Sequence, residues 1–145
     1  MAITQEGIHL TMRRQQRRAI AAMATLAGVL VFTALPGAAV AKEGDIIRTG
    51  SCTGSSDWKL KLSAEDGGIE VEFEVDQNRN GETWNVRLKR DGVRFMRGQK
   101  VTGPPSGSFE VRRVISDAAG ADQIVGRARN PSSGEVCRGV ATFSS

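Results

Sequence analysis

The feature that most constrains the fold is a strict two-residue alternation of apolar and polar side chains. It is clearest in residues 58–63, 69–76 and 84–89, and it continues at 93–95 after a short turn. Residues 109–111, 124–128 and 137–143 show it more weakly, and residues 45–52 add an early extended piece. A period of two is typical of half-buried β-strands. The alternation therefore predicts an all-β domain with seven to eight short strands.

Turn-forming residues separate these runs at short intervals. The segments 65–68, 78–81 and 91–92 are typical of tight hairpins because they combine Asp or Asn with Gly. Residues 103–108, 116–122 and 130–135 are rich in Gly, Pro, Ser and Asp and indicate loops. Short strands at this spacing favour an antiparallel β-sandwich, immunoglobulin-like in strand count alone, or a small barrel.

Residues 1–41 have the three parts of a secretory signal peptide. The n-region, 1–18, contains four arginines, the apolar region is 19–35, and Ala39-Val40-Ala41 is a small-residue cleavage motif. We predict cleavage after Ala41, which leaves one secreted, extracellular domain, residues 42–145, without a membrane anchor. The alternative is an uncleaved 19–35 segment that holds the protein in the membrane. A start at Met12 and twin-arginine export remain open alternatives.

The predicted signal peptide accounts for most of the net positive charge. The chain has 20 Lys and Arg against 16 Asp and Glu, a net charge of +4, and residues 1–41 hold four of the cations and one of the acids. The remaining 16 cations and 15 acids give the predicted secreted domain a net charge of +1. Nucleic acid is therefore not the expected partner, although a high pI often indicates one.

Cys52 and Cys137 are the two cysteines of the predicted secreted domain, and we expect them to form a disulfide. Cys52 also lies in Gly50-Ser51-Cys52-Thr53-Gly54, which resembles a nucleophile elbow. A thiolate nucleophile needs a base, and residues 42–145 contain no His. The same lack leaves no ligand set for zinc. We therefore expect a protein that is not an enzyme.

Residues 76–81 match the first half of a calcium-binding loop. Its oxygen donors would be Asp76, Asn78, Asn80 and Glu82. Position twelve of the loop is Arg87, where a bidentate Glu is required, and the flanks have the pattern of strands. A plain hairpin turn at Asn80-Gly81 is the favoured interpretation, so no cofactor is expected and Ca²⁺ is the alternative.

Charged residues occupy the polar phase of the strands. A meander over 58–90 would place Lys59 and Lys61, then Glu70, Glu72 and Glu74, then Arg87 and Lys89 in neighbouring stripes on one salt-bridged face. Residues 42–145 contain eleven arginines. One hypothesis is an anion-binding sheet face formed by Arg112, Arg127, Arg129 and Arg138; the alternative is that the arginines are scattered and solvated.

The runs IEVEFEVDQNRNGETWNVRLKRDG and SGSFEVRRVISDAAGADQIVGRARN lie between Cys52 and Phe143. This part of the chain resembles small secreted actinobacterial proteins with a signal peptide, one disulfide and an all-β body. The resemblance implies no activity and assigns no site residue. The expected function is non-catalytic binding outside the cell or in its envelope, to an anionic cell-wall polymer or a secreted protein. The alternatives are an inhibitor that inserts the 103–108 loop into a secreted hydrolase, and a small secreted hydrolase.

Overall fold

The computed structural model describes residues 44–144, which form eight antiparallel β-strands and contain no helix. The strands are β1 (Ile46–Ser51), β2 (Asp57–Glu65), β3 (Gly68–Asp76), β4 (Thr83–Arg90), β5 (Val93–Val101), β6 (Ser108–Ser116), β7 (Ala121–Arg129) and β8 (Val136–Ser144). Each run of alternating residues in the sequence is one of these strands. The all-β prediction and the strand number are confirmed.

The strands divide into two four-stranded sheets, which is the arrangement of a sandwich. The first sheet has the order β1-β2-β3-β6, and the second has the order β5-β4-β7-β8. Four pairs join strands that are consecutive along the chain: β1–β2, β2–β3, β4–β5 and β7–β8. The other two, β3–β6 and β4–β7, join strands that are distant in sequence. The chain therefore passes between the sheets after β3, after β5 and after β6.

The apolar phase of the strands forms one shared core. Trp84, Phe73 and Leu60 are among its largest fully buried side chains. Gly126 on β7 lies against the ring of Phe73, and a Cβ atom there would approach Phe73 Cδ2 to 2.5 Å. The Trp84 indole N–H donates to Gln77 Oε1 at 2.9 Å, so its polar atom is satisfied.

Two of the three predicted hairpin turns are confirmed. Asp66 and Gly67 join β2 to β3, and Asp91 and Gly92 join β4 to β5, all four with positive φ. This backbone matches a two-residue turn in which both central residues are left-handed.

The third predicted hairpin, at 78–81, is wrong. β3 pairs with β2 and β6, whereas β4 pairs with β5 and β7, so the segment connects one sheet to the other. Its hydrogen bonds go mainly to Thr102: Gly81 N donates to Thr102 O at 2.8 Å, and the Thr102 hydroxyl donates to Arg79 O at 2.6 Å. The predicted meander over 58–90 is wrong for the same reason.

Cys52 and Cys137 form a disulfide between the segment after β1 and strand β8, as expected. Among residues 44–144 no helix is long and apolar enough to span a bilayer. The predicted signal peptide, 1–41, lies outside the described residues, and it stays a prediction.

Candidate functional site: a basic sheet face

The outer face of the second sheet carries a concentration of positive charge. On β4, β7 and β8 the side chains that alternate with the buried ones point away from the core, and β5 adds exposed cations beside them. We call this surface the basic face. Its seven cations are Arg87, Lys89, Arg94, Arg97, Arg127, Arg129 and Arg138.

Four of these arginines form a row across all four strands. In the β-sheet register Arg97 of β5 lies opposite Arg87 of β4. Arg87 lies opposite Arg127 of β7, and Arg127 lies opposite Arg138 of β8. Neighbouring strands are about 4.8 Å apart, so the row spans roughly 14 Å.

Within residues 44–144 no carboxylate forms an ion pair with any of the seven cations. The first sheet is the opposite case. Lys59 pairs with Glu74, Lys61 lies 3.9 Å from Glu72, and Arg112 contacts Glu72 and lies 3.2 Å from Glu70. The chain therefore pairs its outward cations on one sheet and leaves those of the other unpaired.

The structure brings together three of the four arginines of the predicted anion-binding face and places the fourth, Arg112, in the other sheet. Arg127 and Arg129 share one strand face, and Arg138 lies beside Arg127. Arg112 belongs to the first sheet, where β6 pairs with β3 and three glutamates surround its guanidinium. Arg112 therefore forms the second basic stripe of the salt-bridged face, next to the glutamates of β3. The sequence predicts Arg87 and Lys89 in that position.

The electrostatics of Arg127 reflect this crowding. Burial lowers the pKa of its guanidinium, and the positive charges of Arg87, Arg129 and Arg138 lower that pKa further. Arg87 and Arg127 stand between two surface depressions of about 300 Å³ and 360 Å³. Lys89 and Arg138 line the first depression, and Arg97 and Arg129 line the second. Both depressions thus offer an anion several guanidinium groups at once.

Sequence analysis missed four members of the basic face: Arg87, Lys89, Arg94 and Arg97. The predicted meander puts β4 beside β3 and so places Arg87 and Lys89 on the salt-bridged face, whereas the sequence alone assigns Arg94 and Arg97 to no face. One signal pointed to the correct sheet: six residues, 77–82, separate β3 from β4, which is long for a tight hairpin.

The predicted calcium donors make other contacts. Asp76 Oδ1 accepts a hydrogen bond from Asn78 N at 3.0 Å, and Asn78 has a φ of 55°. Glu82 Oε2 accepts from Asn130 Nδ2 at 3.1 Å. Asn80 lies in the turn between Asn78 and Glu82. In the described part of the chain, no three His, Cys, Asp or Glu side chains are grouped as metal ligands.

The 103–108 loop is a compact turn with an exposed tip. Gly103 N donates to Ser108 O, and Gly107 N donates to Gly103 O, both at 2.9 Å. Pro104, Pro105 and Ser106 are exposed between these bonds. Insertion of this loop into a hydrolase stays a prediction.

Comparison with known proteins gives no relative for this chain. No protein family matches it, and no curated protein or solved structure does. The resemblance to small secreted actinobacterial proteins therefore stays a prediction, and the basic face has to be interpreted from its own chemistry.

Proposed function

We propose that this protein is exported and binds an anionic ligand outside the cell through its basic face. The observation that carries the proposal is the separation of charge between the two sheets. Seven outward cations of the second sheet lack a carboxylate partner among the described residues, although the domain from residue 42 has almost as many acids as cations.

This separation has a cost for the folded domain. Like charges directly opposite each other on neighbouring strands are destabilising. The row from Arg97 to Arg138 contains three such opposed pairs. Arginines that only reflect the composition of the chain would not be expected to lie opposite one another on four successive strands. A bound anion would neutralise the repulsion between them. Binding of an anion therefore explains both the arrangement and its cost.

The chemistry of the cations agrees with an anionic partner. Six of the seven are arginines, whose planar guanidinium donates two parallel hydrogen bonds to a phosphate or carboxylate group. Export is supported by the Cys52–Cys137 disulfide, because disulfides persist in oxidising compartments. The signal peptide predicted over 1–41 agrees with export.

The experiment is retention of the purified, disulfide-bonded protein on a heparin column, eluted with a salt gradient. We expect wild-type protein to bind at low salt, and the R87E/R127E variant to flow through. The matched control is R48E/R113E, which changes the net charge equally at two exposed arginines of the first sheet. This control should elute close to wild type.

Two results would contradict the proposal. Wild-type protein that flows through at low salt has no anion-binding face. Equal loss of retention in R87E/R127E and R48E/R113E would show that only net charge matters.

A further inference from the structure

The row Arg97–Arg87–Arg127–Arg138 differs from the rest of the basic face because every strand contributes a cation to it. The row on one side consists of Gln99, Asn85, Arg129 and Val136. The row on the other side consists of Arg94, Lys89, Val125 and Val140. A run of four neighbouring cations is therefore found only across the strands, whereas β4 and β7 each carry two neighbouring outward cations along their length.

A continuous line of like charges fits a ligand whose own charges repeat along a line. A compact anion can contact two or three of the guanidinium groups, whereas an unbranched polyanion can contact all four. Each further contact forms within an already bound complex, so affinity rises with ligand length until the row is filled. The row also holds only arginine, which binds phosphate oxygens with two parallel donors.

The face has no aromatic platform. All six aromatic side chains of residues 44–144 belong to the core or pack against it: Trp58, Phe73, Trp84, Phe95, Phe109 and Phe143. Proteins that bind single-stranded nucleic acids combine a basic groove with aromatic rings on which the bases stack. The described part of the chain offers the charges without those rings.

We propose that this row, which we call the arginine row, is a track for an unbranched chain of repeated phosphate groups without nucleobases, laid across the strands of the second sheet. The inference rests on the proposed function and specifies its ligand. Inorganic polyphosphate and a poly(glycerol phosphate) chain share this chemistry.

The test is isothermal titration calorimetry of the disulfide-bonded protein with phosphate, tripolyphosphate and longer polyphosphate chains. Two double variants remove the same charge: R97Q/R138Q takes the ends of the arginine row, and R94Q/R129Q takes two cations outside it. For chains long enough to span the row, we expect R97Q/R138Q to lower the affinity roughly tenfold more than R94Q/R129Q. For inorganic phosphate the two variants should be equal.

Salt dependence supplies a second readout. The logarithm of the binding constant falls with the logarithm of salt concentration by about 0.7 per contacted phosphate of a single chain. We expect R97Q/R138Q to reduce that slope by about 1.4 with long polyphosphate. A poly(glycerol phosphate) chain with the same number of phosphates is compared with polyphosphate to distinguish the two sources. The chain that binds more tightly has the phosphate spacing that fits the arginine row.

Three outcomes separate the two proposals. Equal effects of both double variants on long polyphosphate would overturn the track and leave the basic face as an anion-binding surface. Tighter binding of single-stranded DNA than of polyphosphate with equal phosphate number would overturn the ligand class. No binding to any of these polyanions, together with no retention on heparin, would overturn the proposed function itself.

Discussion

Arg112 and Arg127 lie in opposite electrostatic environments, and the pKa values of their guanidinium groups shift in opposite directions. The charge of Glu72, followed by those of Glu70 and Glu110, raises the pKa of Arg112, which lies in the first sheet. Burial and three neighbouring arginines lower the pKa of Arg127. A lowered pKa of a base means that its charged form is disfavoured in the folded protein, so Arg127 costs stability at every pH where it is protonated.

We therefore expect R127Q to raise the free energy of unfolding by about 0.2–1 kcal/mol, because opposed like charges on neighbouring strands are removed. The gain should shrink at high salt, where surface charges are screened. Urea denaturation at low and high salt measures it. The control is R112Q, which should lower stability because Glu72, 4% exposed, loses its closest cation. A loss of stability in R127Q similar to that in R112Q would contradict this interpretation.

At the scale of the elements, local patterns predicted the strands but not their partners. Alternation and turn residues are local, so residues 58–63 and 69–76 correctly predicted β2 and β3 and their hairpin. The pairs β3–β6 and β4–β7 join segments far apart in sequence, and no local pattern states which strands meet. Because these two pairings are not visible in the sequence, the prediction puts Arg87 in the first sheet and Arg112 on the basic face, and both positions are wrong.

Residues 77–82, predicted as a hairpin, connect β3 of the first sheet to β4 of the second. Thr102, which is buried, holds this connection from the end of β5: its hydroxyl accepts from Glu82 N at 3.0 Å and donates to Arg79 O. The sequence signal Asn80-Gly81 correctly indicated a turn, because Gly81 has a φ of 84°. It did not indicate which strand the chain joins after that turn.

We expect T102V to lower the free energy of unfolding by about 1–3 kcal/mol, because Glu82 N and Arg79 O both lose their hydroxyl partner. Chemical denaturation measures the change. The control is T142V, the same substitution at an exposed position of β8, which should leave stability within about 0.5 kcal/mol of wild type. If the two variants are equally stable, Thr102 does not hold the connection.

At the scale of the whole described domain, the disulfide ties its first part to its last strand. Cys52 and Cys137 are 85 positions apart, so the loop they close contains most of the domain. Closing so long a loop restricts the unfolded chain strongly. The sequence predicts this bond because Cys52 and Cys137 are the two cysteines of residues 42–145 and a predicted signal peptide precedes them.

We expect C52A/C137A to lower the free energy of unfolding by about 4–5 kcal/mol, the loop-entropy value for a closed loop of this length. Urea denaturation of the oxidised wild type and the variant gives the difference. Wild-type protein unfolded in a reducing agent is the control and should match the variant. A change below about 1 kcal/mol would show that the bond contributes little to folding.

The unequal charge of the two sheets also affects how the domain would approach the anionic ligand that we propose. The second sheet has unpaired cations on its outer face, whereas the first sheet carries acids among its cations, so the domain has an electric dipole across the sandwich. Near a negatively charged surface, this dipole orients the domain so that the basic face points toward that surface before contact. We expect the association rate to fall steeply with ionic strength, with a smaller effect on the rate of dissociation.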